Sequence, residues 1–201
     1  MADPRLRFDA QAAIYANGDE DESMYLIDSG QVKLSMSSAS GKDCLLAIYT
    51  TGEVFGESCF TSVKRSENAT AMQPTVVRRV SKRDFLAAVE KARAFEVLLA
   101  HLTRRIAERQ MAVFDLVTMS SERRLAKVLL EVAEKLGVAD GPYLKLDQKI
   151  SHEELSQMVG TTRPRITAFI KGFRERGLVM TVGRAMNVHR QKVREFIDTD
   201  L

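Results

Sequence analysis

Basic and hydroxyl side chains lie between the apolar positions of a predicted helix near residue 165. They are Arg163, Arg165, Thr167 and Lys171. Guanidinium and ammonium groups bind phosphate oxygens, and guanidinium and hydroxyl groups also hydrogen-bond to base edges in the major groove of DNA. These residue types therefore predict a helix that reads duplex DNA. The alternative is an ordinary helical hairpin whose basic side chains are simply solvated.

The flanking residues predict the helix-turn-helix that would position this helix. Apolar residues recur at helical spacing over 155–159, Gly160 interrupts the pattern, and a second apolar stripe covers 166–173. The capping signals are Ser151 with Glu154 as a capping-box pattern, Thr162 as the N-cap of the second helix, and Pro164 in its first turn.

A wing is predicted directly after the helix-turn-helix. Two apolar segments, 178–182 and 185–189, flank Gly183-Arg184, which predicts a two-stranded hairpin with Arg184 at the tip, facing DNA phosphate. The candidate DNA-contacting residues are therefore Ser151, His152, Thr161, Thr162, Arg163, Arg165, Thr167, Lys171 and Arg184.

The charge of the chain is concentrated near these residues. Residues 121–201 contain 15 Lys and Arg and 11 Asp and Glu, a net charge of +4, whereas residues 1–120 have a net charge of −1. Between Arg163 and Arg194 nine basic residues face a single acidic one, Glu175, which gives a local net charge of +8. Such a concentration of positive charge favours a polyanionic partner.

Length and composition indicate a soluble protein of one large or two small domains. The 201 residues are 45% hydrophobic and 28% charged, and no apolar run has the length of a membrane span. The N-terminus lacks the apolar core of a signal peptide, and two cysteines do not make a disulfide framework. We therefore expect a cytoplasmic protein without a membrane partner.

The first ninety residues predict an antiparallel sandwich or barrel. Short apolar segments are separated by glycine-containing turns; they cover residues 13–15, 24–27, 32–36, 44–49 and 76–80. The acidic run from Asp19 to Glu22 is interpreted as a solvated loop.

One glycine cluster in this region, residues 52–58 with the sequence GEVFGES, differs from the other turns. Two glycines near an acidic side chain can form a backbone cradle for a phosphate, with the carboxylate accepting from a hydroxyl. The same pattern is as common in a plain turn of a barrel. The residues alone leave both interpretations open.

Residues 95–116 predict a long helix with a seven-residue apolar repeat. Its seam positions are Phe95, Leu99, Leu102, Ile106, Arg109, Val113 and Leu116, at intervals of 4, 3, 4, 3, 4 and 3. This repeat favours a two-helix coiled coil that joins two copies of the chain, and burial of the stripe within one domain is the alternative. Arg109 is the polar exception, as occurs where a seam residue sets the register or meets a ligand. The pattern lapses around 118–121, where we predict a hinge.

Four segments carry a family resemblance: LIDSGQVKL, GEVFGESCF, ERRLAKVLLEVAEKL and ISHEELSQMVGTTRPRITAFIKGF. Together they span most of the chain and resemble, in the same order, the CRP/FNR superfamily of bacterial transcription regulators. The resemblance implies an α+β fold with an N-terminal double-stranded β-helix (a jelly roll like that of cyclic-nucleotide-binding domains), a long central dimerisation helix and a C-terminal winged helix-turn-helix. The implied domains are 1–93, 94–119 (dimerisation helix and hinge) and 120–201.

The resemblance also implies partners and a mechanism. The protein is expected to be a homodimer that binds a palindromic operator in double-stranded DNA, with RNA polymerase as a further partner. Occupancy of the effector pocket is expected to bias a hinge near Ser120 and to rotate the two recognition helices. The alternative is a sensor of a cyclic nucleotide or another small molecule, with weak or vestigial DNA binding.

The implied effector pocket departs from the family pattern at its phosphate-binding residues. Gly56 and Glu57, followed by Ser58, match the residues that hold the ribose of cyclic AMP. In an ungapped comparison the phosphate-binding Arg-Ser pair of the family falls on Asn68 and Ala69.

Two further comparisons concern arginines near this pocket. Arg65-Ser66 lies three residues before the expected position and would serve only if the loop were shifted, whereas the adenine-contacting pair of the family falls on Arg109 and Gln110. A buried cyclic phosphate without an arginine would be an uncompensated charge. These residues therefore disfavour cyclic AMP and leave the effector unidentified.

The recognition helix also departs from relatives that read a TGTGA-type half-site. Those proteins carry Arg-Glu, then an Arg four residues after the Glu, and then a Lys, whereas this chain has Arg163, Pro164, Ala168 and Lys171 at these positions. The Glu that accepts from cytosine and the second Arg are missing, and Arg165 is new. We therefore expect a different operator sequence.

No metal, other cofactor or catalytic residue is predicted. Cys44 and Cys59 are too few for an iron–sulfur cluster of the oxygen-sensing type, and the three histidines, His101, His152 and His189, have no metal-ligand spacing. The sequence contains no recognisable nucleophile–base pair or carboxylate pair, which argues against an enzyme.

Overall fold

A computed structural model describes residues 5–147, 150–183 and 185–199. The chain divides into two compact units with the boundary between Ala107 and Glu108, inside a long helix. Each unit has its own buried core. The three-part division of domains made from the sequence stays a prediction.

The first unit is an antiparallel β-structure. Its elements are β1 (Arg5–Phe8), β2 (Ala13–Tyr15), β3 (Ser23–Ser29), β4 (Gln31–Ser37), β5 (Asp43–Thr50), β6 (Val54–Phe55), a short 3-10 helix (Glu57–Phe60), β7 (Asn68–Ala71), β8 (Thr75–Ser81) and helix α1 (Lys82–Lys91). One sheet has the strand order β1-β8-β3-β6 and the other β2-β7-β4-β5, with antiparallel neighbours throughout. The predicted jelly roll is confirmed.

Alternate side chains of both sheets form the core of this unit. Ile27, Val32 and Val77 have at most 1% of their surface exposed, because every second residue of a strand points to the same side. Tyr25 and Phe55 stack with ring centroids 5.1 Å apart, which adds directional aromatic contacts to the apolar burial.

The long helix α2 (Phe95–Thr118) carries the predicted seam on its surface. Five seam residues are more than half exposed in the single chain: Phe95, Leu99, Ile106, Val113 and Leu116. Leu102 and Arg109 are half-buried. An apolar stripe of this length left in water is unfavourable, so it marks an interaction surface.

The second unit combines helices with a small four-stranded sheet. After the last turns of α2 its elements are α3 (Ser121–Leu136), β9 (Val138–Asp140), β10 (Tyr143–Leu146), α4 (His152–Val159), α5 (Arg163–Glu175), β11 (Val179–Val182), β12 (Ala185–His189) and α6 (Arg190–Asp198). The sheet is antiparallel with the order β11-β12-β10-β9. Leu125, Leu155, Ile166 and Val188 are fully buried at the core of this unit. The predicted winged helix-turn-helix is confirmed.

Elements with weak local signals were missed by sequence reading. They are β1, β6, β7, β9 and α6. Strand β7 has the sequence NATA, whose small side chains give no hydrophobic alternation, and α6 buries only Val193. These elements form because the surrounding structure supplies partners for them. Their local propensity is too weak to predict them from the sequence.

Candidate DNA-binding surface and effector pocket

Local capping interactions set the geometry of the helix-turn-helix. Ser151 and Glu154 form the full capping box at the start of α4, with each side chain accepting from the backbone N–H of the other residue. Gly160 ends α4 with φ +70°, a left-handed conformation that an L-residue adopts only with strain. Thr162 is the N-cap of α5 by position, although its side chain makes no capping hydrogen bond.

Helix α5 has a buried apolar side and an exposed cationic side. Ile166, Ile170 and Phe173 have at most 1% of their surface exposed. Thr162, Arg163, Arg165, Thr167 and Lys171 are exposed. The structure therefore places four of the predicted DNA-contacting residues on the accessible side of α5 and a fifth, Thr162, at its N-cap.

A polar contact joins the two helices of the motif. His152 Nδ1 and Thr167 Oγ1 lie 2.9 Å apart, and the Thr167 hydroxyl also donates to the carbonyl of Arg163 at 3.1 Å. His152, Ser151 and Thr161 are half-buried. These contacts orient α4 relative to the first turn of α5. Arg184 lies outside the described residues, so its predicted place at the wing tip stays a prediction.

An arginine of α3, just after the predicted hinge, connects three segments of the second unit. Helix α2 ends at Thr118, and Ser120 caps α3. The Arg124 guanidinium donates to the carbonyls of Met119 at 2.7 Å and Val159 at 3.0 Å. It thereby connects the end of α2 with the last turn of α4, while Lys127 binds the buried Asp115 of α2.

We expect Arg124→Ala to loosen the end of α2 from the helix-turn-helix. Loss of charge-assisted bonds to two carbonyls predicts that the free energy of unfolding of the second unit falls by about 2–3 kcal/mol. Amide hydrogen exchange near residues 118–121 and 159–161 should accelerate. Arg190→Ala, which removes an exposed arginine at the start of α6, is the control, and equal acceleration in both variants would contradict the assigned role of Arg124.

In the first unit, Gly56 occupies a position that other residues would disrupt. Its φ is +95°, and a Cβ atom there would lie 3.0 Å from the carbonyl oxygen of Ser23 and 3.2 Å from Arg65 Nη1. Glycine is therefore required both by the backbone conformation and by the close approach of Arg65. The 3-10 helix with Glu57 and Ser58 follows directly.

Arg65 is the largest fully buried side chain of the described residues. Its Nε and Nη2 donate to Asp21 Oδ2 at 3.2 and 2.7 Å, and Nη2 also donates to the carbonyl of Ser23. Its Nη1 donates to the carbonyl of Gly56 at 2.7 Å and to Ser58 Oγ at 3.1 Å. All five N–H groups of the guanidinium are therefore engaged within the chain.

The partner of Arg65 is strongly held in its ionised form. Burial opposes ionisation of Asp21, but hydrogen bonds from Arg65, Tyr25 and Arg79 outweigh it and lower the pKa of the carboxyl to about 2. Asp21 is 7% exposed. The interpretation of residues 19–22 as a solvated loop is wrong for Asp21, because the sheet brings Arg65 and Arg79 to it.

The sequence comparison predicted that Arg65 would reach the glycine cluster only if the loop were shifted. The structure shows that Arg65 does contact this cluster. The ungapped comparison took no account of the compact turn before β7, which lets Arg65 reach Gly56 and Ser58. Asn68 instead accepts from the backbone N–H of Asn17 at 2.9 Å, and Ala69 is fully buried in the core. Their assignment to an effector pocket stays a prediction.

The other predicted pocket residues are distributed over both units. Glu57 Oε1 lies 3.5 Å from Arg105 Nη2 within the first unit, and the Arg105 guanidinium lies over the ring of Tyr49 at 4.7 Å. Arg109 and Gln110 belong to the second unit on α2. Sequence reading missed Asp21, Tyr15 and Glu67, since a polar residue in a turn carries no local signal of burial.

Two properties of the described residues bear on other kinds of site. None of the helices in the described part of the chain combines the length and apolar character needed to cross a membrane. Within residues 5–147, 150–183 and 185–199, no group of three or more His, Cys, Asp or Glu side chains is placed to hold a metal ion.

A jelly roll followed by a winged helix-turn-helix with an exposed cationic helix defines a class of proteins. In this class a domain of the ligand-binding type is joined to a DNA-binding domain. Residues 5–92 match the cyclic nucleotide-binding domain, and residues 123–195 match the Crp-like helix-turn-helix domain. The chain belongs to the CRP/FNR superfamily of transcription regulators. It is a transcription regulator.

Individual relatives support this assignment. The chain is 31% identical over 177 residues to a CRP-like cAMP-activated global transcriptional regulator of Mycobacterium tuberculosis, covering 86% of this chain and 78% of that protein. It is 27% identical over 195 residues to the global nitrogen regulator of Synechococcus elongatus, covering 94% and 84%. The solved structure of a CRP/FNR-family transcriptional regulator from Thermus thermophilus has the same fold, with a TM-score of 0.79 at 22% identity, covering 98% of this chain and 99% of that one.

Proposed function

We propose that the protein is a homodimeric transcription regulator that binds a palindromic operator in double-stranded DNA through α5. The observation that carries this proposal is the exposed cationic side of α5, with Arg163, Arg165 and Lys171 accessible while the apolar side is buried. Side chains of this kind on the second helix of a helix-turn-helix reach base edges and phosphates in the major groove. The proposal extends to the cytoplasm as the site of action and to contact with RNA polymerase, on the strength of the family membership.

The second part of the proposal is dimerisation along α2. Its exposed apolar stripe follows the seven-residue repeat of a coiled coil and would be covered by the same stripe of a second copy, which is the usual symmetric arrangement. Two recognition helices related by a twofold axis read half-sites about one helical turn of DNA apart, roughly 34–36 Å.

We expect Ile106→Asp to convert the protein to a monomer. The residue is 59% exposed in the single chain, and a carboxylate in the centre of the seam would lose its hydration when two copies meet. Val97→Asp is the matched control, because Val97 is 71% exposed and lies on the other side of the helix, about 180° from Ile106. Sedimentation velocity at micromolar concentration measures the result. A dimeric Ile106→Asp variant together with a monomeric Val97→Asp variant would place the interface on the other face.

The third part concerns the effector, and we propose a pocket that departs from the cyclic-AMP type. The engaged N–H groups of Arg65 support this, because a cyclic phosphate could use the guanidinium only by displacing a group already bound: the Asp21 carboxylate, the carbonyl of Ser23 or Gly56, or the Ser58 hydroxyl. Arg109 and Gln110 remain proposed pocket residues. A small-molecule sensor with vestigial DNA binding is less favoured, since the Crp-like domain match and the exposed cationic side chains both belong to the second unit.

Selection and sequencing of genomic DNA fragments bound by the purified protein tests the proposal, with and without cyclic AMP. A palindromic motif recovered equally under both conditions is the expected result. Recovery only with cyclic AMP would refute the effector part, and recovery of no motif would refute operator binding by this protein alone.

A further inference from the structure

A buried carboxylate lies beside the glycine cluster of the first unit. Glu67 is 7% exposed and accepts hydrogen bonds from three hydroxyls, those of Tyr15 at 3.0 Å, Ser58 at 2.8 Å and Ser66 at 2.6 Å. An ionised carboxylate is costly to bury unless donors of this kind surround it. The donors around Glu67 therefore form a cluster suited to an anion.

The Tyr15 hydroxyl is held as a donor in this cluster. Burial raises the pKa of Tyr15 far above its ordinary value, and the nearby Glu67 carboxylate raises it further. The phenol therefore stays protonated over the physiological pH range and keeps its hydrogen bond to Glu67.

One hydroxyl links this carboxylate to the buried guanidinium. Ser58 Oγ accepts from Arg65 Nη1 at 3.1 Å and donates to Glu67 Oε1 at 2.8 Å. The charge of Glu67 thus lies one hydrogen-bonded atom away from the charge of Arg65, and linked bonds of this type polarise one another. Ser58 and Arg65 are therefore both engaged by groups of this chain.

The second acidic residue of the cluster faces a cation supplied by the chain. Glu57 lies 3.5 Å from Arg105, and the two side chains are 26% and 16% exposed. Both polar ends of the glycine cluster therefore contact charged groups of this chain: Glu57 at Arg105, and Ser58 between Arg65 and Glu67.

We infer that this cluster is an anion site that the chain fills with its own Glu67 carboxylate, so that no diffusible anion is needed to complete the first unit. Its consequence for regulation, DNA binding that does not depend on a nucleotide, rests on the proposed function. The structural part of the inference, that the Glu67 carboxylate of the same chain fills the site, does not rest on the proposed function.

Chemical rescue of Glu67→Ala by acetate tests the filled site. The substitution removes the equivalent of one acetate ion and leaves the hydroxyls of Tyr15, Ser58 and Ser66 without their acceptor. Replacing chloride by acetate at about 100 mM and equal ionic strength should raise the unfolding midpoint of the variant by about 4 °C. Glu67→Gln keeps the side-chain volume and should show no such shift, and neither should the wild type.

Calorimetric titration of the wild type with cyclic AMP is the second arm and requires no variant. We expect no binding up to about 1 mM nucleotide, and equal affinity for operator DNA with and without cyclic AMP. Micromolar binding of cyclic AMP by the wild type would overturn the inference even if Glu67→Ala did not fold. An equal acetate shift in all three proteins would overturn it as well.

Operator binding is measured separately, so that the two proposals can fail independently. A wild-type protein that does not bind DNA would refute the proposed function and leave the acetate result intact.

Discussion

Replacing Arg163 and Arg165 together with alanine is expected to lower operator affinity by about 100-fold or more, since each specific arginine–base contact contributes roughly 1–3 kcal/mol and a dimer carries every contact twice. Both side chains are exposed at the start of α5. Arg165 lies over the ring of Phe169, with 5.6 Å between the guanidinium carbon and the ring centroid, which limits its orientation before DNA is bound. Fluorescence anisotropy with a labelled operator measures the loss.

A matched control separates recognition from the general loss of positive charge. Arg83→Ala with Lys91→Ala removes two exposed charges from α1 in the first unit. This control should retain the affinity to within about threefold. Salt dependence adds a second readout, because each lost phosphate contact reduces the slope of log affinity against log salt by about one. Equal losses in both double variants would show that α5 does not read the operator.

Arg65→Met is expected to lower the free energy of unfolding of the first unit by about 3–5 kcal/mol, because it leaves the Asp21 carboxylate buried without its main partner. The Arg65 side chain is fully buried, and its Nη2 lies 2.7 Å from Asp21. Unfolding in urea, monitored by circular dichroism, measures the change, with Arg83→Met as the control for loss of an exposed arginine. If the Arg65→Met variant were as stable as the Arg83→Met variant, the Arg65–Asp21 ion pair would not stabilise the first unit.

The Arg65–Asp21 pair also predicts how the stability of the first unit depends on acidic pH. The folded pKa of Asp21 is lowered to about 2 from an unfolded value of 3.8. The contribution of Asp21 to stability is therefore complete above pH 3.8 and is lost as the pH falls through the folded pKa. Arg65→Met removes the main donor that keeps this pKa low, so the variant should lose less further stability than the wild type between pH 4 and 2. A double cycle with Asp21→Asn isolates the coupling between the two residues.

The helix-turn-helix could be predicted from local sequence because its signals act over a few residues. Ser151 with Glu154, Gly160 and the apolar stripe of 166–173 specify helix starts, a left-handed turn and a buried face without reference to the rest of the chain. The seam of α2 is equally local, since a seven-residue repeat follows from helical geometry. The partner of this seam could only be hypothesised, because an exposed surface in one chain does not identify the molecule that covers it.

The charged interior of the first unit could not be read in this way. Asp21 and Arg65 are 44 residues apart in the chain, and Glu67 meets Tyr15 over 52 residues. Which of several acidic and basic residues are buried together depends on how the two sheets pair, and no periodicity in the sequence records that choice. The sequence by itself determined the winged helix-turn-helix and the cationic face of α5, because periodicity and capping chemistry are local. The family and the jelly roll followed from the resemblance of four segments to the CRP/FNR superfamily, since the strand pattern alone indicated only a sandwich or a barrel. Only the tertiary structure decided that the glycine cluster faces an arginine and a glutamate of its own chain, because buried charges pair through contacts that exist only after folding.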